Sequence, residues 1–317
     1  MPHAARGSIV AVTGGSGFLG RRLIPALAAA GYQVRALVRR PAETLWTGPP
    51  PEVVAGDLDD RSALARLVDG AEAVIHGAGL IKARSRAAFF AANAEGSARL
   101  ASAIGDAAGH TRLILVSSLA ARSPELSDYA ASKRGGEAAA RDVLGDRVMA
   151  LRPPAIYGPG DRETLGLFRL AGAAPVLPVP DDPAARLALT HVDDVAARLV
   201  DAVGGGWSPG VFALGGARPE GYAWREIFTA AATAMGRTPG LAPLAPGLIR
   251  AAAAVSEAAG RLRGTPVIFN RGKARELLHP DWSVTADEQP PGPSTWVDLA
   301  AGFAGTVAWY RSAGWLR

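Results

Sequence analysis

The chain has 317 residues, 49% of them hydrophobic and 20% charged, with a formal net charge of +5. That length and apolar content suit one large domain or two packed ones and exclude a disordered chain. It contains no cysteine, which excludes disulfides, thiolate catalysis and cysteine metal sites and fits a cytoplasmic setting.

The opening "MPHAARG" runs straight into a strand-like "SIVAVTGG" with no apolar leader, so secretion is not expected. No apolar run approaches the ~18 residues of a membrane span, so no transmembrane segment is expected. The arginines are dispersed, with no basic helix or basic–aromatic stripe, which argues against nucleic acid and leaves small molecules as the expected ligands.

Strand and helix signals then alternate. Residues 8–14 read as a strand, 18–31 as a helix, and 32–39 and 51–58 as strands. A helix at 62–71 and a strand at 73–79 follow, then a long helix at 89–108 and a strand at 111–118. A helix at 129–144 and a strand at 147–154 complete the regular part. Near-continuously apolar strands separated by helices predict an α/β fold, a doubly wound parallel sheet of the Rossmann type. Ligands bind such sheets outside the carboxyl ends of the strands. After residue 155 the pattern loosens. The expected organisation is a dinucleotide-binding domain at 1–155 with a return segment near 185–214. A smaller, discontinuous C-terminal substrate domain then takes 156–184 and 215–317, and "EQPPGPST" (288–295) reads as a proline-rich loop.

"VTGGSGFLG" (12–20) leaves the first strand and enters the first helix. Gly14, Gly17 and Gly20 permit a tight turn, close approach to a pyrophosphate and close packing of helix on sheet. Where such folds usually place an acid on the adenosine ribose, the second strand ends in Arg39 and Arg40. An arginine there suits a 2′-phosphate, which favours NADP while leaving NAD open. Asp57 and Leu58 follow the third strand and are placed to flank the adenine; Asp57 is equally a candidate helix cap.

"LILVSS" ends in Ser117 and Ser118, and "YAASK" spaces Tyr129 and Lys133 four apart on one helix face. A serine hydroxyl, a phenol and an amine beside a nicotinamide make a carbonyl-reduction site. Tyr129 passes the proton, Lys133 supplies positive charge that favours the phenolate, and Ser118 holds the substrate oxygen. Lowering a phenol by about three units requires roughly 4 kcal/mol of such bias.

Together "TGGSGFLG", "GDL", "HGAG", "VSS", "YAASK" and "LRPPAIYGPGD" resemble the short-chain dehydrogenase/reductase superfamily in its extended branch. That branch holds the NAD-dependent epimerases and dehydratases, the dihydroflavonol reductases and the 3β-hydroxysteroid dehydrogenases. The likeness covers residues 8–160, with "THVDDVA" (190–196) a further family-like segment. It implies Ser118, Tyr129 and Lys133 as the catalytic triad, with Lys133 also holding the nicotinamide ribose. It places Gly14, Gly17, Phe18 and Leu19 on the pyrophosphate and Arg39 on the 2′-phosphate. Gly77 and Ala78 fall on the adenosine and ribose side, Asn93 is the ordering asparagine, and Pro153 and Ile156 meet the nicotinamide. Dimerisation through helices such as 89–108 and 129–144 is common in the superfamily. One departure matters: Ser118 lies only 11 residues before Tyr129 and is followed by Leu119, so the insertion and acid pair of sugar-modifying members are missing.

In the second half, Tyr157 and Arg162 are candidates for substrate contact, though Tyr157 equally suits packing of the hinge. His191, Asp193 and Asp194 read as a helix start rather than a metal cluster, and no metal site is expected. Residues 246–262 form an amphipathic helix with Leu248, Ala252, Val255, Ala259 and Leu262 on one face. That face is expected to pack in the core or in a substrate lid rather than on a membrane. Trp282, Trp296, Trp309 and Trp315 are expected to close the C-terminal domain. The leading expectation is an NAD(P)-dependent oxidoreductase interconverting a secondary alcohol and a carbonyl. The alternatives are a nucleotide-sugar epimerase or dehydratase, and a non-catalytic NADP-binding regulator or accessory subunit.

Overall fold

The computed structural model describes residues 7–40, 45–292 and 295–316. In chain order the elements begin β1 (Ile9–Thr13), α1 (Gly20–Ala29), β2 (Gln33–Val38), β3 (Glu52–Ala55), α2 (Arg61–Val68) and β4 (Ala73–His76). Next come α3 (Arg86–Phe90), α4 (Gly96–Asp106), β5 (Arg112–Val116), α5 (Asp128–Leu144) and β6 (Val148–Arg152). Then follow β7 (Ala155–Tyr157), α6 (Leu165–Ala173), β8 (Val176–Pro180), β9 (Arg186–Leu187), β10 (Leu189–His191), α7 (Val192–Val203) and β11 (Gly210–Ala213). The last are α8 (Trp224–Ala234), β12 (Gly240–Leu244), α9 (Pro246–Leu262), α10 (Arg271–Leu277), β13 (Asp281–Trp282) and α11 (Leu299–Ser312).

The chain divides into two units, the first made of residues 1–153, 195–213 and 290–293, the second of 154–194, 214–289 and 294–317. The segment read as returning at 185–214 thus joins the sheet unit only from Val195, and residues 290–293 of the proline-rich loop go with it.

The first unit is a seven-stranded parallel sheet in the order β3-β2-β1-β4-β5-β6-β11. Val10 of β1 pairs with Val34 of β2 on one side and Ala73 of β4 on the other, so the strand order reverses between β1 and β4. This is the switch point at which such sheets bind ligands. Every residue of β4 and β5 is buried, as a sheet covered on both faces demands. Leu64 and Leu67 of α2, Leu100 and Ile104 of α4 and Leu144 of α5 cover one face over Val74, Leu113 and Leu115. Each such side chain contributes about 1.5–3 kcal/mol of burial.

Side chains fix several helix starts. Asp60, Ser85 and Ser127 accept from the backbone amides of Ala63, Ala88 and Ala130 and so open α2, α3 and α5. A cap of this kind stabilises by about 1 kcal/mol. Asp57, weighed above as a cap, instead accepts from the Asp59 amide at 2.9 Å in a turn; the cap is Asp60. The single helix expected at 89–108 is two helices joined by one wide π turn, Ala91–Glu95, which carries Asn93.

The second unit is built from parallel two-stranded pairs, β7 with β10, β8 with β12 and β9 with β13. Its core is aromatic. Phe303 meets Tyr157 and Phe168 edge-on, each at 5.0 Å between ring centres. The α9 helix spans the expected residues, but its packing face is Ile249 and Ala253 against Ala274 of α10. The stripe expected to face inward is the exposed one, with Leu248 at 61%, Val255 at 70% and Leu262 at 90%. The helix is alanine-rich on both sides, so periodicity alone did not select the buried face.

Candidate active site

The residues named from the sequence in the first unit follow the carboxyl ends of successive strands. After β1, Gly14 adopts φ +76 and accepts from the Gly17 amide at 3.0 Å, closing a tight turn. A methyl group on Gly14 would lie 2.6 Å from the backbone carbon of Gly77 and 2.7 Å from the amide of Ala78. Only a glycine lets these two turns approach so closely, which brings Gly14, Gly77 and Ala78 together at the switch point. Unlike α2, α3 and α5, α1 has Leu19 at its N-cap and no side-chain cap. Uncapped amides above a glycine turn fit a pyrophosphate. Phe18 and Leu19 are half-buried beside it. Trp46 donates from its indole nitrogen to the Gly15 carbonyl at 2.8 Å and so closes one side of the turn. No sequence signal had marked it.

A directional hydrogen-bond chain starts from this turn. The Ala78 amide donates to Thr13 Oγ1, so the Thr13 hydroxyl donates to His76 Nδ1, 2.6 Å away. His76 Nε2–H then donates to Ser97 Oγ at 3.1 Å, and Ser97 donates to the Asn93 carbonyl at 2.7 Å. Burial, with the nearby Lys133 charge second, lowers His76 to about 3, so the imidazole stays neutral and this tautomer is the one the partners demand. Asn93 is itself buried. Its side chain accepts from the Leu80 amide and donates to the Leu80 carbonyl and to Ser132 Oγ, at 2.7–3.0 Å. Ser132 in turn donates to the Tyr129 carbonyl at 2.8 Å. Asn93 therefore ties the loop after β4 to the helix turn that carries Tyr129.

Tyr129 and Lys133 lie in the first two turns of α5. Tyr129 is half-buried with its ring edge toward Phe89, 6.1 Å between centres. Lys133 Nζ donates to the Val116 carbonyl at 2.7 Å, which holds it at the end of β5. Burial lowers this ammonium to about 8, and the Glu137 carboxylate opposes the shift. Ser118, two residues past Val116, opens a short 3₁₀ turn and accepts from the Ala120 amide at 3.2 Å. Pro153 lies beside it, its carbonyl accepting from the Leu119 amide at 2.8 Å. Gly79 closes the far side: a methyl group there would lie 2.8 Å from Asn93 Oδ1 and 3.9 Å from Lys133 Nζ.

Beneath Lys133 sits a buried ion pair the sequence reading missed. Glu137, 2% exposed, accepts from Arg152 Nε at 2.8 Å and Nη2 at 2.6 Å, and from the Ser117 hydroxyl. Its signal was available: a glutamate one helical turn beyond Lys133 and an arginine ending the next strand.

Arg39 is exposed, one residue past β2. Leu58 packs beside Gly96, and its carbonyl accepts from Arg99 Nε at 2.9 Å. Ile156 and Tyr157 lie in β7 of the second unit, and Arg162 lies beyond that strand in the same unit. Tyr157 is 2% exposed in the aromatic core, and burial pushes its phenol well above the usual range. Arg162 stacks over Trp315. Asp193 and Asp194 lie in the first turn of α7, and Asp194 accepts from the Val297 amide at 3.0 Å. Among the described residues no group of three or more His, Asp or Glu is arranged to hold a metal.

The model of the NAD dependent epimerase/dehydratase family matches residues 10–215. The ceramide reductase of Caulobacter vibrioides (strain NA1000 / CB15N) is 51% identical over 320 residues, spanning all of this chain and 98% of the relative. Among solved structures, gox2253 superposes with a TM-score of 0.76 at 21% identity, covering 98% of this chain and 99% of its own. The Bordetella bronchiseptica enzyme WbmH in complex with NAD+ gives 0.72 at 18% identity, with 97% and 99% covered. Both likenesses show the fold.

Proposed function

The chain belongs to the NAD dependent epimerase/dehydratase family, and we propose that within it the protein is an NADPH-dependent reductase of a ketone carried by a ceramide-type lipid. The full-length likeness to a ceramide reductase supports the substrate class. The observation that carries the chemistry is Lys133, anchored to the Val116 carbonyl one helical turn from Tyr129 and beside the strand end that leads to Ser118. An amide carbonyl is too weakly electrophilic for this machinery, so the reacting group is a ketone on the long-chain base.

The glycine turn, Gly77, Ala78 and the uncapped start of α1 would hold the dinucleotide, with Arg39 toward a 2′-phosphate. When bound, the cofactor supplies hydride to the carbonyl carbon. Tyr129 donates its phenolic proton to the carbonyl oxygen, leaving a secondary alcohol. Lys133, charged below about pH 8, stabilises the tyrosinate that results. Ser118 holds the oxygen in line, and Asn93 fixes the helix turn that presents Tyr129. The 11-residue interval from Ser118 to Tyr129, with Leu119 in between, disfavours a sugar-nucleotide epimerase.

The test is net NADPH consumption with a keto-ceramide in detergent micelles, alongside fluorescence titration of NADPH and NADH. The expected result is turnover with a preference for NADPH that Arg39→Ala removes. Tightly retained cofactor with no net consumption would overturn the reading in favour of an epimerase.

A further inference from the structure

Among the described residues, Glu137 is the one buried carboxylate of the sheet unit, 2% exposed on α5. It lies one helical turn past Lys133, on the same side of the helix. Three donors meet its two oxygens. Arg152 donates from Nε to one oxygen at 2.8 Å and from Nη2 to the other at 2.6 Å, and the Ser117 hydroxyl shares the first. Donors on both oxygens are the arrangement an ionised carboxylate takes.

Stability alone does not account for this group. A buried ion pair exchanged for apolar side chains of similar volume is often neutral or better, so the pair offers the fold little by itself. Its neighbour gives it a use. Lys133 Nζ is anchored only to a neutral acceptor, the Val116 carbonyl. The charged or titratable groups packed around Lys133 are Tyr129 and Glu137 on α5, His76 at the end of β4 and Arg152 at the end of β6. Asp128 and Arg134 are exposed, the first paired with Arg86 and the second 4.0 Å from Glu137. Glu137 is therefore the buried anion of the group. The helix cannot turn it away. A methyl group on Gly136 would lie 2.5 Å from the Asn93 carbonyl oxygen, so α5 packs backbone to backbone against the π turn.

We infer that Glu137 is a positioning residue of the active site, the counter-charge that keeps Lys133 an ammonium while Arg152 holds it in place. This rests on the proton-transfer reading of Tyr129 and Lys133. The same carboxylate grips the Ser117 hydroxyl, and Ser117 stands between Val116, which anchors Lys133, and Ser118. One anion thus supports the lysine by charge and the serine-bearing strand end by contact. Burial lowers Lys133 to about 8, and Glu137 opposes that fall. Without the carboxylate, the ammonium loses its proton at a lower pH, inside the neutral range.

The experiment is a carbon-13 NMR titration of lysine Cε in the full chain, without cofactor or substrate. The chain has three lysines, so Lys82→Arg and Lys273→Arg assign the Lys133 signal. Glu137→Gln is expected to lower the Lys133 midpoint by about one pH unit, a tenfold change in its acid constant. Glu137→Gln/Arg152→Met strands no guanidinium and carries the test if the single variant does not fold. It is expected to lower the midpoint by about half a unit. A merely structural role moves the midpoint the other way, because a loosened site wets Lys133 and raises it toward about 10.4. A rise or an unmoved midpoint in the double variant overturns the proposal. A fall confined to the single variant does so too, since it would belong to the stranded Arg152. In the ketone assay, the Glu137→Gln defect should be about threefold at pH 7.5 and narrow toward pH 6. Lowered midpoints without wild-type turnover keep the counter-charge and reject the reductase; turnover with unmoved midpoints does the reverse.

Discussion

The carboxyl edge of the sheet and the core of the second unit each present a tyrosine, and their surroundings treat it in opposite ways. Tyr129 is half-buried on a helix whose next turn carries Lys133, and Asn93 and Ser132 tie its backbone into a polar chain. Tyr157 is almost fully enclosed by Phe303, His191 and Tyr222, where burial raises its phenol. The same side chain is set up for proton transfer in one place and for packing in the other. What differs is the neighbour: a cation one turn away, or a ring edge at 5.0 Å.

The largest effect that tests this contrast is Tyr129→Phe, expected to lower kcat about 10³-fold in the reductase assay with NADPH affinity unchanged. Tyr157→Phe should leave kcat within a few-fold; comparable losses in both would erase the distinction. Next is Phe303→Ala, which removes the hub of the aromatic core. It should cost about 3–5 kcal/mol by denaturant unfolding. A cost under about 1 kcal/mol would mean this core is not what holds the unit together.

Third in size is the pH profile. Lys133 carries its charge below about 8 and loses it above. The rate should therefore be flat through neutrality and fall by up to tenfold per pH unit past that point. A rate still level at pH 10 would show that the cation is not needed. The smallest is Asn93→Ala, which leaves the Leu80 amide and carbonyl and Ser132 Oγ without their partner. It should cost about 2 kcal/mol of stability and lower kcat more than it raises KM, because the helix turn under Tyr129 is released. A stability loss with kinetics untouched would reduce Asn93 to a structural role.

The sequence disclosed the sheet, the glycine turn and the Tyr129–Lys133 pair because each leaves a local trace. Parallel strands buried on both faces read as apolar runs, and an α-helix sets a four-residue spacing. The buried support of the site left weaker traces. Glu137 and Arg152 meet from two elements 15 positions apart, and His76 reaches Thr13 across 63. No short-range pattern pairs such residues. The π turn at Asn93 was hidden because one extra residue per turn leaves composition unchanged. The outward face of α9 was misassigned because an alanine-rich helix is apolar all round, and only its neighbour α10 decides which side is covered.

The seventh strand of the sheet has a consequence for how the protein is made. β11 pairs with β6 in parallel register, Gly210 beside Met149, yet 57 residues separate Arg152 from Gly210. During synthesis, β6 emerges long before the strand that covers it. Until then "VMALR", with four of its five residues destined to be buried, is an open sheet edge. The guanidinium of Arg112 likewise awaits the Val203 carbonyl and the ring of Trp207. A fragment ending near residue 153, where the recognisable motifs stop, would therefore carry the whole glycine turn and the Tyr129–Lys133 pair and still be prone to aggregate. The nascent chain must keep that edge unpaired with its neighbours until the return segment arrives.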